Sequence, residues 1–445
     1  MAITNFGIVW LIVLIVASFV GIKSLTKVLL ISSVFQAGAV FIIGKSVLPP
    51  LTVSCIFYCV ISFLRHSRKY PFKCPKCMNA YFFMWVILLV TSLLASAMFV
   101  GTVYLESLDW IEYAIYDGHI ALFGLFSILL YGVTALMLYN DKPISSKELY
   151  YIMVFMIALV FFVACWQYIS VYKSILKNDF IASFIYSNTV SESVGFYNDL
   201  NNVYSNLFDI RLYSTFMEPS YCAGFLVCTF FYLFSKNTYS PLDIVLISLL
   251  IGMIILTFSA TAYAAFAFAC LLSYIISGRL KAFWGHFFRF GIFIALGIAL
   301  ITYMDLWDTI DRMILQKGDS HSVYIRNLWN INCINIFQTT YGLGMGYASV
   351  RGSSLLPTLL GTFGLIGTFL FFRFAFLLIK SRYLLKSCTS FTSEETILKC
   401  MIVIVMISQV IAIPNFDYSI FWMTLFIFFS RVDSRHKNVI KVSHT

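Results

Sequence analysis

Two arginines are the residues of this chain best suited to chemistry. The first opens the stretch Arg211-Leu-Tyr-Ser-Thr-Phe-Met-Glu218-Pro219. The second closes Ser322-Val-Tyr-Ile-Arg326 and is followed by Gly342-Leu-Gly344-Met-Gly346. Each borders a long apolar run. Arginine beside hydrocarbon is costly and is usually kept for function. Its planar fork binds phosphate at two points. Two such groups over a bilayer could grip a pyrophosphate carried on a lipid. Pro219 is suited to the first position of a helix, with Glu218 as its cap. If the segment before Pro219 is also helical, Arg211 and Glu218 lie seven apart and share a face. A structural ion pair at a helix end is the alternative use of the same two charges.

Around Arg326, Ser320 or Ser322 can cap a helix. That helix would place Ser322, Arg326 and Asn330 on one face. His321 stands five positions from Arg326 and points elsewhere; its ordinary pKa nevertheless suits proton transfer. The glycines at 342–346 do not make a phosphate loop, which needs a preceding strand and a cytoplasmic nucleotide. They read as a tight, close-packed turn. Gly361-Thr-Phe-Gly364-Leu-Ile-Gly367 falls within an apolar run and reads as a place where helices approach closely. The chain offers no domain for ATP, no acidic cluster for a metal in an outside loop and no Ser/His/Asp set. The expectation is chemistry with no cofactor, nucleotide or metal, on a substrate that arrives already activated.

The elements that hold these residues are set by composition. Of 445 residues, 60% are hydrophobic and 11% charged, and the mean hydropathy is +0.89. A soluble domain cannot bury that much apolar surface. Apolar runs near 20 residues repeat along the chain, which is the signature of spanning helices. The expected fold is all-α: one polytopic membrane domain over 1–445 with about 12–13 transmembrane helices. Spans are read at 6–22, 28–44, 47–64, 80–101, 120–139, 149–172, 214–235, 242–258, 261–277, 287–303, 354–379, 397–413 and 417–430. The first run has no basic residue before it and no cleavage site, so it reads as a span rather than a signal peptide. No internal repeat of the transporter kind is evident.

The net charge of +10 is distributed as short basic loops between spans, not as a nucleic-acid surface. The 65–79 loop carries Arg65, Arg68, Lys69, Lys73 and Lys76 and no acid, which places it in the cytoplasm. The next loop carries Glu106, Asp109, Glu112 and Asp117 and no base. Lys45, in an outside turn, mildly opposes this scheme. Two long loops, 173–213 and 304–353, then fall outside. Loops of this length are usually functional. Leu200, Val203, Tyr204, Leu207 and Phe208 repeat at helical spacing in the first. Leu306, Ile310, Met313 and Ile314 do so in the second. Both read as short interfacial helices. Of the eleven cysteines most lie in apolar runs, where they act as small hydrophobes. Cys74-Pro-Lys-Cys77 alone has a motif's spacing, and His66 does not complete a four-ligand zinc site.

On these residues the chain resembles the O-antigen polymerase and ligase superfamily. Arg211 through Glu218-Pro219 to Ala223 is similar to that superfamily's arginine and Glu/Pro segment before an apolar span. Ser322 and Arg326 through Gly346, then Leu359-Leu-Gly-Thr-Phe-Gly-Leu-Ile-Gly367, resemble its later outside loop and the span after it. The likeness covers roughly 205–375. Ligases of the superfamily carry a histidine shortly before the later span. Here that region reads Arg351-Gly-Ser-Ser-Leu-Leu-Pro357. Ligases also tend to have Ser-Arg where this chain has Ser259-Ala260-Thr261. Both departures favour a repeat-unit polymerase.

The resemblance implies a metal- and nucleotide-independent glycosyltransferase of a bacterial inner membrane, with its site facing the periplasm. Its partners would be undecaprenyl-pyrophosphate-linked repeat units, membrane lipid and a chain-length regulator, and no nucleic acid. Arg211 and Arg326 would hold the pyrophosphate, and Glu218, or else His321, would deprotonate the acceptor hydroxyl. Arg351, His321, Tyr213 and Asn330 are the substrate-binding candidates. A ligase and a lipid-linked oligosaccharide flippase are the competing readings.

Overall fold

The computed structural model describes residues 2–43, 46–66, 73–99, 104–106, 111–113, 118–141, 143–172, 184, 211–236, 238–277, 302, 321–347, 349–350, 352–380 and 394–431. The chain is helical, and among the described residues five helices are long and apolar enough to cross a membrane. These five are part of α4 (Lys76–Phe99), α5 (Gly118–Asp141), α6 (Ser146–Tyr172), α11 (Leu355–Lys380) and α12 (Glu394–Ala412). The shorter apolar helices are α1 (Asn5–Val20), α3 (Pro50–His66), α7 (Pro219–Phe234), α8 (Pro241–Leu256), α9 (Ala260–Ser277) and α13 (Ser419–Arg431). Two more elements, α2 (Ile22–Ser32) and α10 (His321–Thr339), complete the described helices. The span read at 287–303, Thr302 excepted, and the interfacial helices read at 200–208 and 306–314 lie outside the described residues, as does most of the 173–213 loop.

Polar contacts mark one end of the bundle, where the basic loops lie. Lys27 pairs with Glu148 at 3.6 Å. Tyr58 and Ser62 donate to Asp141 at 2.9 and 2.6 Å. Arg431 grips Glu394 through Nε and a terminal nitrogen at 2.9 and 2.6 Å, and donates to Ile144 O at 2.8 Å. At the first turn of α8, Asp243 closes a capping box with Ser240 and accepts from Lys236 at 2.8 Å. This is the basic end. Helix ends on the other side form the distal end.

One expectation is overturned. The run 28–44 is not a span. Helix α2 ends at Ser32, the chain runs on without a helix through Val40, and Phe41–Ile43 forms β2. β2 pairs antiparallel with both β1 (Ala2–Ile3) and β3 (Ser46–Leu48). The cause is a break at Gly21, whose φ of 128° is available to glycine and strained for other residues. Helix α1 runs about 24 Å towards the basic end and α2 returns only about 16 Å. The chain therefore climbs the last stretch as extended backbone to meet its own start. A second hairpin, β4 (Tyr104–Glu106) with β5 (Ile111–Tyr113), lies in the acidic loop and was not evident from the sequence.

The core is formed around helices that have almost no exposed face. In α7 every residue from Ser220 to Leu233 is buried, and in α13 every residue from Ser419 to Ser430. At 16 and 13 residues they are about 24 and 20 Å long, less than the roughly 30 Å of a hydrocarbon layer. Neither alone reaches across such a layer. Non-helical backbone at membrane depth is tolerated where protein satisfies it or where it lines a cavity.

Candidate functional site

The segment that carries Arg211 and Glu218 is the non-helical stretch before α7. Residues 211–218 are a sequence of turns rather than a helix, with Ser214 at φ 50°. The shared helical face that the spacing offered to Arg211 and Glu218 does not exist. The segment is fixed instead by Gln167, a buried residue of α6. Gln167 Nε2 donates to Arg211 O at 2.9 Å, and its Oε1 accepts from the backbone nitrogens of Tyr213 and Ser214 at 3.3 and 3.1 Å. Ser214 Oγ donates to Val160 O at 2.6 Å. One amide thus satisfies three backbone groups that would otherwise be buried unpaired.

Two further non-helical stretches meet this segment. Thr215 Oγ1 donates to Val34 O at 2.5 Å, and Ala37 N donates to Thr215 O at 3.1 Å. The climb after α2 is thereby stitched to the segment before α7. On the other side Leu212 N donates to Leu256 O at 2.9 Å, and Arg211 Nε donates to Thr257 O at 3.3 Å. These carbonyls belong to the C-terminal end of α8, whose dipole attracts a cation. The chain then breaks at Phe258, φ 43°, before α9 begins. Arg211 is half-buried at the point where three breaks converge.

Glu218 is the N-cap residue of α7, with extended dihedrals and Pro219 in the first turn, as the sequence reading expected. It makes no side-chain cap; Ser220 Oγ donates to its Oε2 at 3.3 Å. Tyr213 is 1% exposed, so its ring packs in the interior. Arg326 and Asn330 both lie on α10, half-buried and four apart, within the helix that the sequence reading expected there. Asn330 Oδ1 accepts from Ser353 N at 2.9 Å and so anchors the loop that leads into α11. Arg351 lies outside the described residues, and so does the side chain of His321. Arg211, Tyr213 and Glu218 are brought into one segment; Arg326 and Asn330 belong to the α10–α11 pair.

The glycine turn has a definite partner. Gly342, Gly344 and Gly346 all have positive φ, and Gly364 interrupts α11 at φ 64°. Met345 N donates to Gly361 O at 2.8 Å, Gly346 N to Thr362 O at 2.9 Å, and Leu365 N to Gly342 O at 2.9 Å. The turn thus satisfies the backbone groups that the break in α11 releases.

Sequence reasoning missed Gln167 and the polar residues at the break between α12 and α13, although the spans read at 397–413 and 417–430 located that break. A glutamine inside an apolar run was the available signal for the first, since polar groups at membrane depth are costly. The break carries Asp417, which is exposed, three residues after Pro414. No family model matches the chain, and no curated protein or solved structure matches it.

Proposed function

We propose that this chain is a membrane glycosyltransferase that polymerises lipid-linked oligosaccharide repeats. The growing saccharide is carried on undecaprenyl pyrophosphate at the periplasmic face of a bacterial inner membrane. A hydroxyl of a second lipid-linked repeat attacks the anomeric carbon, its proton passes to a base, and the lipid pyrophosphate leaves with the bonding pair. Arg211 and Arg326 bind that pyrophosphate and stabilise the charge developing on the leaving oxygen. Glu218 is the first candidate for the base and His321 the second. Arg351 adds a contact to sugar or phosphate, and a chain-length regulator is the expected protein partner.

The observation that carries this reading is the fixing of the Arg211 backbone by buried Gln167, seven residues before a carboxylate at the N-terminus of α7. A half-buried cation and a helix N-terminus on one short segment favour an anionic group delivered from the membrane. A flippase for the same lipid is the second reading. It is favoured by the discontinuous backbone at 33–40, 211–218 and 257–259, which transporters use for binding.

The test is surface polysaccharide size in a deletion strain, compared with Arg211→Ala and Arg326→Ala complements. Polymerase loss leaves a lipid core with a single repeat, and neither variant restores the ladder. Removing one such charge contact is expected to lower the rate about 10²–10³-fold. A core with no repeat at all overturns the polymerase reading and moves the flippase or ligase ahead.

A further inference from the structure

The break between α12 and α13 holds polar groups that the bundle leaves unanswered. Gln409 is 1% exposed and Ser419 7% exposed. Gln409 Nε2 donates to Asn415 O at 2.8 Å, which turns its amide towards the break. Gln409 Oε1 and Ser419 Oγ have no hydrogen-bond partner. Ser419 opens α13, whose first backbone N–H groups have no acceptor within the helix. Asp417 stands at the exposed lip, within electrostatic range of Tyr131 and Tyr347. Tyr131 shares a hydrogen bond with Thr52 at 2.7 Å. Tyr418 Oη donates to Tyr221 O at 2.5 Å, which binds this break to the first turn of α7, just beyond Glu218.

The chemistry of these groups selects the ligand. A free anion would meet the carboxylate of Asp417 and the amide oxygen of Gln409. A cation would meet the positive end of α13. A hydroxyl both donates and accepts, so it can donate to Gln409 Oε1 or Asp417 and accept from Ser419 or a backbone N–H. Phe416 and Trp422, whose rings meet at the break, supply apolar faces of the kind that sugar rings pack against. We propose that the α12–α13 break is a saccharide subsite, with Asp417, Gln409 and Ser419 binding the hydroxyls of a repeat unit whose reacting end lies at Glu218 and Arg211. The proposal rests on the saccharide-transfer reading and assigns the sugar-recognising groups that it lacked.

The test uses the full chain in lipid nanodiscs. The probe is the free oligosaccharide repeat, released by mild acid from the host's lipid-linked pool. Buried Trp422 donates to Phe416 O at 3.1 Å within the break and reports occupancy by its fluorescence. A saturable change is expected in the wild type and is absent in Trp422→Phe. Asp417→Asn and Ser419→Ala weaken the affinity at least tenfold while the thermal midpoint is kept, because alanine removes an oxygen that had no partner. Gln409→Leu weakens the affinity as well, with a lower midpoint, because it also removes the donor to Asn415 O. Wild-type affinity in Asp417→Asn and Ser419→Ala overturns the subsite, as does a wild type with no saturable signal. A saturable signal in a protein whose deletion leaves the polysaccharide ladder intact keeps the subsite and removes the polymerase reading.

Discussion

Gly344 and Gly364 meet backbone to backbone. A Cβ on Gly344 would lie 2.6 Å from Gly364 N, and a Cβ on Gly364 would lie 2.3 Å from Leu343 O. Both residues have positive φ. The contact joins the loop after α10 to the middle of α11, and with it Arg326 and Asn330 to the bundle.

Alanine at either glycine is therefore expected to be severely destabilising. The left-handed backbone costs about 1–2 kcal/mol, and overpacking adds about 1–3 kcal/mol. Gly252 is the matched control, since nothing lies within 4 Å of the position a Cβ would take in α8. Gly252→Ala should be neutral, or more stable by up to about 1 kcal/mol. Thermal melts in detergent decide it; equal midpoints for Gly364→Ala and Gly252→Ala would contradict the described contact.

Gln167→Leu should damage activity without touching substrate. It removes the partners of Arg211 O, Tyr213 N and Ser214 N. Each orphaned buried group costs about 1–3 kcal/mol, so the 211–214 turn loosens even where the bundle survives. The expected result is a folded protein with shortened polymer. A full-length ladder from Gln167→Leu would show that the turn does not depend on this amide.

Arg431→Lys tests the basic end. Arginine there bonds Glu394 through two nitrogens and Ile144 O through a third, a fork that lysine cannot reproduce. With both partners part-exposed, the expected loss is small, about 1 kcal/mol. It should lower the melting midpoint while polymer length per folded molecule stays the same. Loss of polymer at unchanged stability would tie this end to function.

Cys74 reports sidedness and pH dependence together. It is exposed, yet burial of its surroundings pushes the thiol up from its ordinary value. Only the thiolate reacts. In a background with Cys165, the other exposed cysteine among the described residues, and Cys388, which lies outside them, both replaced by serine, an impermeant maleimide should modify Cys74 slowly near neutral pH, and faster as pH rises past the ordinary thiol range. Modification is expected from the cytoplasmic side only. Rapid modification of intact cells from outside would invert the orientation drawn from the basic loops.

Apolar length was enough to find most helices, because hydropathy is a local property. It was not enough at 28–44. That run is as apolar as its neighbours, but Ser32, Ser33, Gln36 and Gly38 interrupt it, and the pairings that unwind it come from Ala2, Leu48 and Thr215. Those partners are distant in sequence, so no window along the chain reveals them. Arg211, Glu218, Arg326 and Asn330 were legible as candidates from charge beside apolar runs. Their supports were not: Gln167 looked like one polar residue in a span, and its role depends on a turn more than 40 residues later.

The wrapping of α7 has a consequence for how the protein is made. Its first turn is closed by Tyr418, 197 residues further along the chain, and α12 packs along it. A ribosome delivers α7 long before either arrives. Until then this short helix, among the most apolar surfaces of the finished bundle, has only early helices and lipid around it. Truncation after α11 should accordingly leave a chain that inserts but fails surveillance. The innermost helix is among the last to be enclosed, and the C-terminal pair acts as the keystone of biogenesis.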